Sequence, residues 1–493
     1  VLLLAAGLSH ADDAALRGIL EMMPASAQVS LAIPSLEAIE QEVGAILDSD
    51  IIKASGAAAG FRLDEVAAAL GKEAGVGEAK SIGEILDRLG VDPDAAGGLF
   101  ARFSGNQVDF AGVFPLKSPE TFEQKFVELM DTVFTGLPLA AAGDLQGHYS
   151  DSMRLGYAIT ENRVLLSSTR DLLEELAARL PEPATVAFGA GDYPGKGSRQ
   201  MVLVARIQDI LASGELDRDP DLAPLKTMLN YLGGFSDEVA LTMSLEGIPF
   251  KMRLAMHDST GTESPPLSAL SLHKLFPKES PFMTNLRVTP ELFDFVRVVL
   301  EAQSGSAEKA QQQLAMASMV TGFLGDEAAL AIPRMAGLIP MVNAAVKVKD
   351  LTQAMAMLGM AGVSPEPAFT HNDAPVHSAR AMGALMVYVA PINDTTLLAA
   401  SDIEEVKALI DRFKSGADAG LVPPDTAARA NQGMLFWDSG QMAKVMALVP
   451  AAFIPISLDM QIGQLMLTVE QEGAWRQAAM SLSDGLAPVA AMF

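Results

Sequence analysis

Apolar and polar positions alternate most legibly along Met153–Leu180, MRLGYAITENRVLLSSTRDLLEELAARL. Period-two runs on either side of Glu161-Asn162 predict two strands joined by a polar turn, and the run that follows has the spacing of an amphipathic helix. The same order returns at Leu385–Phe413, LMVYVAPINDTTLLAASDIEEVKALIDRF. In each stretch a tyrosine (Tyr157, Tyr388) lies in the first strand. A leucine pair (Leu165-Leu166, Leu397-Leu398) and two small residues then lead to a helix start at Thr169 or Ser401.

The flanking pattern extends the match. Asp13–Met23 predicts a short helix stopped by Pro24, Gln28–Ile33 a strand, and Ser35 the cap of a helix carrying Leu36, Ile39, Val43 and Ile46. Helical pieces are expected at Leu63–Leu70 and Ile82–Leu89, a hairpin around Gly105-Asn106, and a helix opening at Ser118-Pro119-Glu120 with Phe122, Phe126, Met130 and Val133 on its inner face. Strand Gln200–Ala205, helix Ile207–Leu211 and a hairpin of Glu238–Leu245 and Phe250–Met256 close the first half. The second half gives helix Leu270–Phe276 before Pro277, strand Phe282–Val288, a helix start at Thr289-Pro290-Glu291, strands Ala344–Val348 and Gly433–Trp437, and a hairpin turning at Glu472-Gly473.

The spacing is regular. Lys117 and Lys349 lie 232 positions apart, as do Thr169 and Ser401, while Gly247 to Gly473 and Asp258 to Asp484 are each 226. Ser35 to Thr289 is 254, so the first half carries about 22 extra residues before its central hairpin, an insertion of the kind that surface loops accept. The expectation is two homologous α+β copies in tandem, each an antiparallel or mixed sheet with helices on one face, the pair related by a pseudo-twofold axis. Boundaries fall at a leader Val1–Ala11, a first domain Asp12–Asp258, a linker Ser259–Pro266 and a second domain Leu267–Phe493. The linker is polar and carries two prolines.

Composition narrows the function. Hydrophobic residues make up 49% and charged residues 19%, which fits a globular chain and not a disordered one. A net charge of −26 repels phosphate backbones and anionic membrane surfaces, so nucleic acid is not an expected partner. There is no cysteine, which removes disulfides, thiol catalysis, thiolate metal sites and lipid attachment through an N-terminal cysteine. Val1–Leu8 is an apolar run, and Ser9 and Ala11 are small residues in the −3 and −1 places of a cleavage site. This reads as the end of a secretory signal, with a short buried helix as the competing reading; lacking an initiator Met and a basic region, the sequence is expected to begin inside the signal. No segment is long enough to span a bilayer: the best run, Val445–Ile456, is 12 residues and holds Pro450 and Pro455.

Candidate chemistry is sparse. His371 and His377 flank Asn372-Asp373 in what reads as a loop, His148 stands in a similar place in the first half, and Asp217, Asp219 and Asp221 alternate as carboxylates do in calcium loops. The calcium-loop pattern fails at Leu222 and Met228, so solvated turns compete with metal binding at both places. Gly189–Ser198 lacks the first glycine and the final hydroxyl of a phosphate loop, Ser271–Lys274 is an isolated S-x-x-K, and the pairs Glu174-Glu175 and Glu404-Glu405 are expected on solvent faces. No catalytic residue and no cofactor is assigned. The excess of methionine, 26 in all, is concentrated at Met316, Met319, Met335, Met341, Met355, Met357 and Met360. Read as helices, these residues either fill a core or line an adaptable cleft for an acyl chain or apolar peptide.

The order of motifs resembles predicted secreted bacterial proteins of unknown function built from duplicated α+β repeats. The resemblance rests on Met23-Pro24-Ala25-Ser26, on Phe114-Pro115-Leu116-Lys117-Ser118-Pro119, and on Tyr157–Leu172 with Tyr388–Ile403. It implies an envelope location and no catalytic residues. The expected function is that of a non-enzymatic periplasmic or secreted binding or scaffold protein with an envelope protein as partner; a carrier or chaperone for a lipid or other apolar ligand is the alternative, and a hydrolase comes last.

Overall fold

The computed structural model describes residues 15–16, 18–48, 63–73, 75–104, 107–133, 140–141, 145–152, 154–160, 162–179, 200–219, 222–244, 250–257, 267–304, 322–336, 339–360, 365–381, 385–441, 464–472 and 475–483. They fall into two compact units, one before and one after residue 260. The proposed leader and linker lie outside the described residues, as does the Gly189–Ser198 loop.

In the first unit ten strands form one antiparallel sheet. In chain order they are β1 (Val29–Ile33), β2 (Gly97–Ser104), β3 (Gln107–Pro115), β4 (Ala140–Ala141), β5 (Gly147–Ser150), β6 (Leu155–Thr160), β7 (Arg163–Ser167), β8 (Gln200–Arg206), β9 (Glu238–Ser244) and β10 (Phe250–His257). In space they run β10-β9-β8-β1-β2-β3-β7-β6-β5-β4. Helices α1 (Leu36–Asp48), α2 (Leu63–Glu73), α3 (Ile82–Arg88), α4 (Pro119–Val133), α5 (Arg170–Ala178), α6 (Ile207–Ala212) and α7 (Ala223–Gly233) connect them. Start signals act as the residue types dictate: Ser35 Oγ accepts from the Ala38 N–H at 3.1 Å, Ser81 Oγ from Glu84 at 3.0 Å, and Ser118 Oγ from Thr121 at 3.2 Å.

The helices of this unit cover both faces, not one. On one face the buried row Val113–Leu165 and the Arg102–Asp109 pair meet α5, whose Leu172, Leu173 and Leu176 are buried and whose Asp171 bonds to Arg102. On the other, Tyr157, Ile159 and Val164 pack with Phe122 and Phe126 of α4, and α6 and α7 bring Ile207, Ile210, Leu211, Leu229 and Leu232 onto Val29, Leu203 and Leu254. The physical reason is the strand pattern. Both faces of β6 and β7 are apolar, so each needs a cover.

The second unit repeats this order. Its strands are β11 (Phe282–Arg287), β12 (Leu324–Ala336), β13 (Ile339–Val348), β14 (Glu366–His371), β15 (Ala374–Ala381), β16 (Leu385–Asn393), β17 (Thr396–Ala400), β18 (Gly433–Asp438), β19 (Gln464–Glu472) and β20 (Trp475–Leu482). They run β20-β19-β18-β11-β12-β13-β17-β16-β15-β14, all antiparallel. Helices α8 (Pro290–Ser304), α9 (Leu351–Met360), α10 (Ile403–Ser415) and α11 (Pro424–Arg429) accompany them. Val406, Leu409 and Ile410 of α10 join Leu398, Ala345, Met283 and the segment Leu270–Phe276 in one core.

Several expectations change. Leu270–Phe276 is not a helix; a single 3-10 turn, Leu272–Leu275, is set between extended residues. Strands β12 and β13 pair as a long hairpin, which places Met335 and Met341 on strands and, among the described residues, leaves Met355, Met357 and Met360 on α9. His371 and His377 stand on strands, because Asn372 and Asp373 both take positive φ (46° and 59°) and close a two-residue hairpin. The helix start in the second stretch is Asp402 and not Ser401: its carboxylate accepts from Glu404 and Glu405, while Ser401 Oγ accepts from the Val342 N–H at 2.8 Å. The tyrosines are not equivalent. Tyr157 pairs with Leu166 and packs on α4, whereas Tyr388 pairs with Ala400 on the face that carries α10.

Candidate functional site

The two best-formed polar constellations lie on the core faces of the sheets. In the second unit Glu327 stands at the polar start of the apolar run AALAI on β12 and is 1% exposed. Its carboxylate accepts from the backbone N–H of Leu272 at 2.7 Å and of Ser271, from Ser271 Oγ at 2.8 Å, from Asn285 Nδ2 at 3.0 Å, and from Lys347 Nζ at 2.8 Å. Burial alone would raise such a carboxyl. The Lys347 ammonium and the converging N–H groups win and hold it at about 2. A carboxylate so fully engaged is a weak base and offers no lone pair to a substrate; what it does is bind the 3-10 turn to the sheet.

In the first unit Arg102 and Arg154 share Asp109, which is 3% exposed, at 2.9 and 2.6 Å. Arg102 also reaches Asp171 of α5 at 2.8 Å; that bond, the largest influence on Asp171, holds its carboxyl at about 2. Glu175 accepts from Ser26 Oγ at 2.8 Å and from its N–H, and Arg206 donates to the carbonyls of Ala25 and Ala27 at 2.8 and 3.1 Å. These groups fasten α5 and the entry segment to the sheet. The glutamate pairs therefore divide: Glu174 and Glu404 face solvent, but Glu175 and Glu405 turn inward, Glu405 binding Asn343 Nδ2 at 3.0 Å and Arg334 at 3.1 Å. Composition and spacing gave no sign of Glu327, Asp109 or Asn285. The signal available was a charged residue on the inner phase of an apolar strand.

The residues singled out from the sequence separate. His371 Nε2 lies 2.8 Å from Asp411 Oδ1, and Asp411 also takes the Asn372 amide, so the tip of the β14–β15 hairpin is fastened to α10. His377 faces Val389 on β16. His148 holds the corresponding register position, facing Tyr157 on β6, and its Nδ1 is 3.0 Å from the Tyr157 hydroxyl. Burial pushes that phenol up to about 12. Asp217 pairs with Lys226, Asp219 is exposed, and Asp221 lies outside the described residues. Among the described residues no group of three or more His, Asp or Glu side chains is placed to hold a metal ion. Of the methionines, Met316 and Met319 lie outside the described residues. Met335, Met357 and Met360 have described backbone only, Met341 is half-buried with its Sδ 3.3 Å from Ser401 Oγ, and Met355 is half-buried on α9. The described part of the set thus spans both strand and helix, and is not one helical face.

Among the described residues no helix is long and apolar enough to cross a membrane. No family model matches the chain, and no curated protein does. Solved structures similar over part of it include crystal forms III, IV and I of TP0453. Each is 12% identical, with TM-scores of 0.27, 0.28 and 0.26, covering 49%, 48% and 48% of this chain and 80%, 79% and 78% of the other. A likeness of this degree carries no argument about function.

Proposed function

We propose that the chain is a tandem duplication of one ten-stranded module and acts outside the cytoplasm as a non-catalytic binding or scaffold protein. The duplication is supported by the strand order: ten strands in each unit pair in the same sequence, including the non-sequential neighbours β1–β8 and β3–β7, matched by β11–β18 and β13–β17. The non-catalytic reading rests on one observation, that the buried charged groups Glu327 and Asp109 are saturated by partners within their own units. Neither carboxylate, so engaged, is free to serve as a general base or nucleophile. The apolar run and small residues of Val1–Ala11 support export.

An apolar carrier is the second reading. Leu99, Val108 and Phe110 on the β2–β3 hairpin favour it, exposed at 43%, 41% and 56%. Native mass spectrometry of the purified chain separates the two: a clean apo mass is expected of the binding or scaffold protein, and a stoichiometric co-purified lipid would replace that reading with the carrier.

A further inference from the structure

Each unit is entered through a short apolar segment that ends at a proline. Ile19, Leu20, Met22 and Met23 precede Pro24; Leu272, His273, Leu275 and Phe276 stand at the same spacings before Pro277. Burial matches position by position, at 3%, 2%, 2% and 1% exposed in the first unit and 3%, 2%, 6% and 0% in the second. The backbone bonds match as well. Met23 N–H donates to Leu20 O at 3.1 Å and Phe276 N–H to His273 O at 3.2 Å, while Ala27 donates to Pro24 O at 3.2 Å and Ser280 to Pro277 O at 3.0 Å. Among these four buried positions the chemistry differs at one, leucine in the first unit and histidine in the second; between them Glu21 is matched by Lys274. Among the described residues neither ring nitrogen of His273, both buried, has a hydrogen-bond partner. A place that leucine fills needs no imidazole for packing, and an unpartnered imidazole there costs stability that leucine would not.

We propose that residues 267–276 form an acid-released latch on the core of the second unit, with His273 as its proton sensor. The latch is closed by Glu327 on the Ser271 and Leu272 N–H groups, by Arg412 Nη1 on Leu275 O at 2.8 Å, by the Ala419 N–H on Lys274 O at 3.0 Å and by the Leu270 N–H on Ala430 O at 3.2 Å. Arg287 of β11 adds a bond to Ser268 O. A proton taken from solvent by the ring places a cation among these groups. The carboxylate of β12, Glu327, already holds Lys347 of β13, Asn285 and the turn itself. Pairing with an imidazolium would displace a bond that keeps the latch shut. Asp418, after α10, is exposed and caps Gly420, and Lys274 beside the ring repels the new charge. Burial accordingly holds the His273 pKa below its ordinary value, with Asp418 and Glu327 opposing.

Opening that takes up one proton becomes up to about tenfold more populated per pH unit below about 6.5. The test is hydrogen exchange of the intact chain at pH 6.5 and 5.0, corrected for the intrinsic pH dependence of amide exchange. The Leu272 and Phe276 amides should lose protection by up to roughly thirtyfold, while those of Met22 and Met23 keep theirs, and His273→Leu should remove the response. Unchanged protection at Leu272 and Phe276, equal loss at Met23, or an acid response that survives in His273→Leu would each overturn the proposal. Should that variant not fold, NMR titration of the wild-type ring decides. Protonation within the closed fold at or above about pH 6.5 refutes the latch, and a ring neutral until the latch opens supports it. The latch rests on the equivalence of the two units proposed above, which cross-linking of the strands tests separately.

Discussion

At the scale of single residues, charged side chains inside the sheets carry large individual contributions to stability while their partners are in place. Lys347→Met would leave Glu327 buried without its counter-charge and is expected to cost about 3 kcal/mol in urea denaturation. Lys407→Met, which breaks the exposed pair with Glu404, is expected to cost less than about 0.5 kcal/mol. Acid separates the two sensors. The Glu327 pKa is depressed in the fold, so its contribution, about 3 kcal/mol, is complete above about pH 4.5 and is lost as pH falls through about 2. The His273 contribution is complete above about pH 6.5 and falls as the unfolded or open chain takes up its proton. The urea midpoint should therefore decline in two steps, and His273→Leu should erase only the upper one. Phe122, stacked on Phe126 at 5.2 Å and edge-on to Tyr157 at 6.0 Å, should cost about 3–5 kcal/mol when changed to Ala. Sequence pattern marked Phe122 and Phe126 because their helical spacing is visible one residue at a time. It missed Glu327 because a carboxylate in an apolar strand declares itself only when its donors, drawn from β11, β13 and residues 271–272, are brought together.

Among the elements, caps and turns carry the contrast. Asp402 accepts from two N–H groups at the start of α10, while Thr169 at the start of α5 makes no side-chain cap bond. Asp402→Ala should cost about 1 kcal/mol, and Thr169→Ala less, read from the same denaturation curves. Elements joined by short turns were legible: the hairpin around Gly105-Asn106 is β2–β3, and the strand pair around Glu161-Asn162 is β6–β7. Of the β12–β13 hairpin only the strand Ala344–Val348 was legible, because an alanine-rich run such as Ala328–Ala331 gives no period that separates strand from helix. The same ambiguity gives the Met-rich region its helical pattern. The hairpin tip at Asn372-Asp373 looked like a loop for the opposite reason. Asn and Asp signal a turn whether the flanks pair or not, and the pairing of Glu366–His371 with Ala374–Ala381 depends on β16 beside it.

Across the whole molecule one strand order is used twice. Sequence spacing suggested it, with a register error: Leu165 and Leu398 hold the same place, facing Val113 and Ala345 on the core side, so the leucine pairs are offset by one residue. A one-residue slip reverses every side chain of a strand, which is why Tyr157 and Tyr388 face opposite ways although the text around them looks alike. What the units share is packing. What differs is chemistry, Leu20 against His273 above all. The absence of cysteine from the sequence makes the claim directly testable by engineered disulfides. The pairs Ala111→Cys with Ser167→Cys and Asn343→Cys with Ala400→Cys join directly opposed, sequence-distant positions at the same place in the two sheets. Under mild oxidation both pairs should form intramolecular disulfides, whereas the shifted pairs Ala111→Cys with Ser168→Cys and Asn343→Cys with Ser401→Cys should remain reduced. Cross-linking in one unit only, or preferentially at the shifted positions, would show that the two sheets do not share one strand order.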